Sequence, residues 1–437
     1  MAVTFPFLTA ADPPGTSEGT LDPLGLYQIS DQLASELVPA VRERMIRIRF
    51  LTAIAVGTFV TEGLAEDAAQ REAAPYLAWE WYVVESIVRS RNEAGGEEGI
   101  WGVPGTVVAR RAIGQHGYLD ARSYLSTPRV FGFHGVYKRL AHHLGITDVH
   151  LGPGPAAERL VDAWARDRGL GSLRSAEPLI AKWRSAIEQA LSTKPPKTHP
   201  RWAAADWLEL AQAFMPDGAG SHERKLLREL LLVPGDRRLG ALPDIWSLQQ
   251  DVEDDAFAEE TLHDRLETLD RSYVPSLTAI RAYEAFARSM QDAFDVLRHR
   301  AGVPDSRGFV LTAIAPDEDF CTSVSGLDQK FSAARAALGG IGGGASALQA
   351  MFTDRFAAFE IPMDPGETAV ALRSLHEKVQ QDKSAEGKRS WFDNLGGDRI
   401  YVRHNYRIEQ PVIQPTKYLH AYRGQPIRRF FKDLRKR

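Results

Sequence analysis

Residues 174–300 read as almost entirely helical, with apolar residues at helical spacing in separate stretches. SAEPLIAKWRSAIEQAL and SHERKLLRELLL each lay Leu, Ile, Ala or Trp along one stripe of a helix. The stretch from Trp246 to His299 predicts two long helices divided near Pro275. Strand candidates are few and short: DVHL at 148–151, GFVLTAIA at 308–315, and DRIYVRHNYRIE near 398–409. This balance sets the fold class as mainly α, a multi-domain helical protein with a small β element near the C-terminus.

A chain of 437 residues exceeds one ordinary core and implies several domains. Residues 1–25, rich in Pro, Gly and Thr, read as a tail. Residues 26–170 read as a helical domain, 171–305 as a second helical domain, and 306–437 as a basic α+β region. In the first domain VRERMIRIRFLTAIAVGTFV predicts a helix from Val41 onward. APYLAWEWYVVESIVRSRN predicts another, ended by NEAGGEEG. Then come GTVVARRAIGQHG, LDARSYLST and FHGVYKRLAHHLG, three short helical stretches separated by Gly or Pro. DVHL and the GPGP turn follow. Three helices, a strand and a tight turn are the order of a winged helix-turn-helix-like module, expected near 102–165.

One cysteine, Cys321, excludes disulfides within the chain and cysteine-cluster metal sites. The first fifteen residues lack a basic segment followed by an apolar run. The charge-free stretch Phe50 to Thr61 is too short to span a bilayer. A cytoplasmic protein without membrane contact is expected. The net charge of -4 is uneven. Residues 375–437 hold fifteen Lys/Arg against seven Asp/Glu, or +8, which leaves -12 for the rest. A basic end on an acidic body points to a local anion-contact surface.

The stretch TPRVFGFHGVYKRLAHHLGI (127–146) packs three aromatics and three histidines with no acid. Across 106–143 there are six Lys/Arg and a single acid, Asp120. A helix that meets DNA needs basic and hydrogen-bonding side chains on one side and apolar packing on the other. A helix over 134–144 puts Lys138, His142 and His134 on one side and Val136, Leu140 and Leu144 on another. Arg110, Arg111, Arg129, Lys138, Arg139 and His142 are therefore the expected nucleic-acid contacts. The competing reading is a core helix with a solvated polar back.

The C-terminal region interleaves aromatics with arginines, a pattern suited to base stacking with phosphate neutralisation. Strand alternation through RIYVRHNYR predicts Arg403, Asn405 and Arg407 on one face. Arg403, Arg407, Arg423, Arg428 and Arg429 form the expected second anion contact. A solvated charged face over an aromatic core is the alternative.

Catalytic signals are thin. Glu260-x-x-His263 has half the spacing of a carboxylate-bridged dimetal site, but no second such pair follows, and nine acids in 251–270 read as a solvated acidic helix. His376-Glu377 lacks the second histidine of a zinc peptidase, and GGIGGGA at 339–345 lacks the Lys-Ser/Thr of a phosphate loop and reads as a hinge or loop linking helices. Cys321 reads as a packed thiol. No cofactor, metal set or catalytic residue is assigned.

The phrases LDPLGLYQISDQL, ASELVPAVRERMIRIRFLTAIAVGTFV, GVPGTVVARRAIGQHGYLDARSYLSTPRVFGFHGVYKRLAHHLGI and AIRAYEAFARSMQDAFDVLRHRAG, in this order over residues 22–300, resemble a group of helical bacterial proteins encoded in restriction or phage-defence islands. The resemblance implies an anti-phage or DNA-processing context and carries no catalytic residues. Together these readings give a DNA-binding or adaptor subunit of such a complex, with DNA and other subunits as partners. Two alternatives stand beside it: a scaffold that binds a protein partner without touching DNA, and a metal-dependent nuclease using the acidic 251–270 region.

Overall fold

The structure, a computed structural model, describes residues 22–64, 73–94, 100–198, 202–233, 237–249, 258–302, 308–341, 345–383 and 388–436. It is mainly helical with one small sheet. In chain order the helices are α1 (Tyr27–Leu37), α2 (Arg49–Thr61), α3 (Pro75–Ala94), α4 (Thr106–His116), α5 (Pro128–Phe131), α6 (Phe133–His143), α7 (Ala157–Asp167), α8 (Leu173–Ser192), α9 (Ala204–Phe214), α10 (Ser221–Leu231), α11 (Leu242–Leu248), α12 (Glu259–Leu269), α13 (Val274–Ala301), α14 (Glu318–Val324), α15 (Leu327–Gly339), α16 (Ala345–Phe356), α17 (Pro365–Asp382) and α18 (Gly424–Arg435). The strands are β1 (Phe309–Val310), β2 (Phe392–Asn394) and β3 (Arg399–Val402). Among the described residues no helix is long and apolar enough to cross a membrane.

The chain divides into two compact units, each assembled from separate stretches: residues 35–269 with 423–437, and 1–34 with 270–422. The tail up to residue 21 lies outside the described residues, as do 250–257 of the acidic segment and 342–344 of the glycine run.

In the first unit α2 is the centre. RFLTAIAVGTFVT is apolar around almost its whole circumference, so it is buried on all sides, against α3, α6, α7 and α8. Trp79, Trp164, Trp183 and Phe214 meet beside it with ring centroids 5.5–6.1 Å apart. The Trp79 indole N–H donates to the Ala53 carbonyl at 2.9 Å, so the large ring carries no unsatisfied donor into the core. α2 begins at Arg49, eight residues after the helix start expected at Val41. The reason is visible in the amides. Ile46 and Arg47 each donate to the Tyr137 hydroxyl at 2.9 Å, and Ile48 donates to Asp433 Oδ2 at 3.0 Å. Distant side chains satisfy the N–H groups, and the backbone has no need of a helical turn there.

The expected helix in LDARSYLST is also absent. Asp120 Oδ1 accepts the amides of Arg122 and Ser123, and Ser123 Oγ accepts the amide of Asp120. This local side-chain turn competes successfully with helix. DVHL is no strand either. A single antiparallel bridge, Thr147 with Pro153, closes the loop between α6 and α7.

In the second unit the 28-residue α13 packs against α14, α15 and α17. The expected division near Pro275 is present: α12 ends at Leu269 and α13 begins at Val274, with Pro275 in its first turn, where the missing N–H costs nothing. The sheet order is β1-β3-β2, antiparallel throughout, with Phe309 opposite Ile400 and Phe392 opposite Val402. Only Phe309–Val310 of GFVLTAIA is strand; Leu311–Ile314 turns into a 3-10 helix. His376 is wholly buried, donates from Nδ1 to the Pro23 carbonyl at 2.9 Å and accepts the Trp391 amide at Nε2 at 3.0 Å. Both ring nitrogens serve the fold.

Candidate nucleic-acid interface

α6 separates its two sides as its sequence predicts. Phe133, Val136, Tyr137, Leu140 and Ala141 are buried, whereas Lys138, Arg139 and His142 are exposed. The division departs from expectation at His134, which is buried. Its backbone N–H donates to Glu80 Oε2 at 3.0 Å, and its Nδ1 lies 3.2 Å from the same oxygen. Glu80 also accepts the Tyr124 hydroxyl at 3.0 Å, so this buried carboxylate ties α3 to α6. Burial, reinforced by the Glu80 charge, holds the Tyr124 phenol well above its ordinary value.

Arg129 reaches the same region through a close crossing. Gly135 of α6 lies against the α5 backbone, and a Cβ there would meet the Arg129 carbonyl carbon at 2.5 Å. The crossing leaves Arg129 exposed beside the start of α6. Arg111 is exposed on α4; Arg110 is half-buried and already has a partner within the fold. Arg111, Arg129, Lys138 and Arg139 have no carboxylate partner among the described residues. The pKa of His143 is lowered, first by burial and then by neighbouring groups that include Arg139. His142 is oriented by donation from Nδ1 to the Thr147 carbonyl at 3.2 Å.

The five C-terminal arginines fall in two different units. Arg423, Arg428 and Arg429 belong to the unit that holds α6, whereas Arg403 and Arg407 belong to the other. Arg403 is buried, bonds the Ser390 carbonyl at 3.1 Å and lies over the Tyr406 ring. Arg407 is half-buried, lies over the Tyr401 ring and donates to the Tyr401 hydroxyl and the Val402 carbonyl. The expected strand face of Arg403, Asn405 and Arg407 does not exist, because β3 ends at Val402 and His404–Tyr406 is a 3-10 turn. Arg423 is buried at the start of α18, 3.8 Å from Glu43. Arg428 is half-buried and has a partner; Arg429 is exposed.

Sequence reasoning missed the residues that α18 brings to the α6 unit. Trp101 is 53% exposed, and it is the one exposed aromatic among the described residues. The guanidinium carbons of Arg47 and Arg429 lie 5.3 and 5.9 Å from its ring centroid. Arg44 is exposed and stands 4.5 Å from the Phe131 ring centroid. Each pair comes from segments remote in sequence, so no spacing announces it.

A second feature missed by the sequence reading lies in the other unit. The Glu284 carboxylate accepts the Tyr422 hydroxyl at 2.6 Å and lies 2.7 Å from His420 Nδ1. His420 lines a cleft of about 230 Å³ with Asp22, Tyr27 and Gln291. No group of three or more His, Cys, Asp or Glu is placed to hold a metal ion among the described residues. His263 is buried on α12 and has a partner in the fold.

Comparison with protein-family models, with curated proteins and with solved structures returns no match. The resemblance read from the sequence rests on its quoted phrases alone.

Proposed function

We propose that this protein binds nucleic acid, as a DNA-binding or adaptor subunit of a bacterial anti-phage or DNA-processing complex. The observation that carries the reading is the outer side of α6, where Lys138, Arg139 and His142 stand exposed, and Lys138 and Arg139 have no carboxylate partner among the described residues. Cations held close together without counter-charges repel one another, and a phosphate backbone relieves that repulsion. Arg111 and Arg129 extend the surface on α4 and α5. In this reading α4 and α6 are helices of a winged-helix-like module whose expected middle helix at LDARSYLST is a turn, with the loop closed at Thr147 and Pro153 in the place of a wing. The anti-phage context comes from the sequence resemblance.

The test is a fluorescence-anisotropy titration of labelled duplex and single-stranded DNA at several salt concentrations, with the wild type and the double variant Lys138→Glu/Arg139→Glu. Affinity that falls steeply with salt, and that the variant loses, supports the reading. No binding by the wild type at low salt overturns it.

A second reading, docking of a protein partner without DNA, draws on Val107 and Val130. They are 72% and 43% exposed, and they lie beside Arg111 and Arg129. Co-purification of a partner by a protein that ignores DNA favours it.

A further inference from the structure

Trp101 is the one exposed Phe, Tyr or Trp among the described residues, and its setting is built by residues from remote segments. Trp101 is not exposed through slackness of its chain. Its carbonyl accepts the Arg47 Nε–H at 3.1 Å. Arg47 in turn pairs with Asp433 Oδ1 at 3.2 Å, and Asp433 is buried on α18. The next residue, Gly102, sits at φ +88°, and a Cβ there would press on the Arg47 side chain at 3.0 Å. Arg47 therefore anchors the backbone at Trp101 and the turn that follows it. Arg47 is largely enclosed and positions the ring. Arg429 is exposed, reaches toward the ring from α18 and has no carboxylate partner among the described residues.

A solvent-facing indole with an exposed guanidinium over its ring, and no carboxylate on that guanidinium among the described residues, matches the chemistry of an unpaired base and its phosphate. The base supplies a π-face, and the phosphate supplies the charge. In a duplex every base face is already stacked on a neighbour, so such a ring gains little from it. An acidic protein partner would satisfy Arg429 but would leave the indole face without a planar partner.

We propose that Trp101 is a stacking platform for an unpaired base, positioned by Arg47 and served by Arg429. On this basis the unit takes single-stranded or locally opened nucleic acid in preference to closed duplex. This deepens the nucleic-acid reading and rests on it.

The experiment compares the full chain with Trp101→Ala, Trp101→Phe, Arg429→Glu and Lys138→Glu/Arg139→Glu, each titrated against a labelled single strand and against the duplex of the same sequence at one low salt concentration. Stacking one base on an aromatic ring changes affinity by roughly five- to a hundredfold. The expected result has four parts: a wild type that favours the single strand, a loss of about tenfold or more for Trp101→Ala on the single strand, little change for that variant on duplex, and retention by Trp101→Phe. Arg429→Glu should weaken the single strand as well. If the wild type favours duplex, or if Trp101→Ala leaves the single strand unaffected or weakens both forms equally, the platform is overturned. Loss of binding in Lys138→Glu/Arg139→Glu would then leave the broader reading standing. If the wild type binds neither form, both readings fall together.

Discussion

Asp433 Oδ2 accepts the amide of Ile48 at 3.0 Å across 385 positions of sequence, while its Oδ1 pairs with Arg47. One buried carboxylate thus fixes both the entry to the central helix α2 and the seat of α18. Replacing Asp433 by Ala leaves an amide without its acceptor and a mostly enclosed guanidinium without its counter-charge. Loss of one partner from a buried ion pair costs about 3 kcal/mol. Denaturant unfolding of Asp433→Ala should show that loss, and Asp433→Asn, which keeps one acceptor, should lose less. Equal midpoints for wild type and Asp433→Ala would mean that α2 is seated by apolar packing alone.

Two glycines in different helices should respond in opposite directions. Gly135 lets α6 touch the α5 backbone, so Gly135→Ala forces the two apart and should destabilise by about 2 kcal/mol. Gly114 lies exposed within α4 with nothing within 4 Å of a built Cβ, so Gly114→Ala should stabilise by about 0.5–1 kcal/mol through helix propensity. Thermal melts of the two variants beside the wild type give the signs directly. Gly135→Ala should also weaken any anion contact that depends on Arg129, and Gly114→Ala should not.

His376 makes the stability of its unit depend on pH. Burial is the main cause that lowers its pKa to about 4, and the charges of Lys383 and Arg298 add to it. The unfolded imidazole titrates near 6.5, so between about pH 4 and 6.5 the unfolded chain binds the extra proton. The stabilising contribution is therefore complete above about pH 6.5. It is lost progressively as pH falls toward 4, by about 3 kcal/mol in all. Urea unfolding at pH 7 and at pH 5 should show a drop in the wild type. His376→Gln, which can still donate to Pro23 and accept from Trp391, should be less stable at pH 7 but flatter with pH. A wild-type curve as flat as that of His376→Gln would remove His376 as the source.

What could be read in advance divides along a physical line. Helices whose apolar stripe is local, such as α8, α10 and α13, follow from periodicity because burial of the stripe decides them. The two sides of α6 were legible for the same reason, down to the exposure of Lys138, Arg139 and His142. The start of α2 was not legible, because the acceptors of its preceding amides, Tyr137 and Asp433, lie far away in sequence. His134 has helical spacing with Lys138 and His142, yet Glu80 holds it inside; no pattern within the helix encodes a carboxylate on α3. Arg403, Arg407 and Arg423 look like free charges in a basic stretch, but carbonyls, aromatic rings and Glu43 take them up. Trp101 sat unnoticed because its partners Arg47 and Arg429 meet only after α18 returns to the first unit.

That last distinction gives the sharpest separation among the arginines. Arg139 is exposed and unpaired among the described residues; Arg403 is buried, bonded to the Ser390 carbonyl and stacked on Tyr406. Charge removal at the two positions should therefore act on different observables. Arg139→Ala removes an exposed charge, and on the proposed reading a phosphate contact, without emptying any core, so stability should stay within about 0.5 kcal/mol. Nucleic-acid affinity should fall severalfold at low salt, and the slope of log K against log salt should become shallower by about one counterion. Arg403→Ala leaves the Ser390 carbonyl without its donor and opens space against Tyr406, so it should cost about 1–3 kcal/mol of unfolding free energy. Affinity measured under conditions where that variant is still folded should match the wild type. Affinity loss in Arg403→Ala equal to that in Arg139→Ala would place the β-sheet unit in the interface. Loss in neither would remove α6 from it.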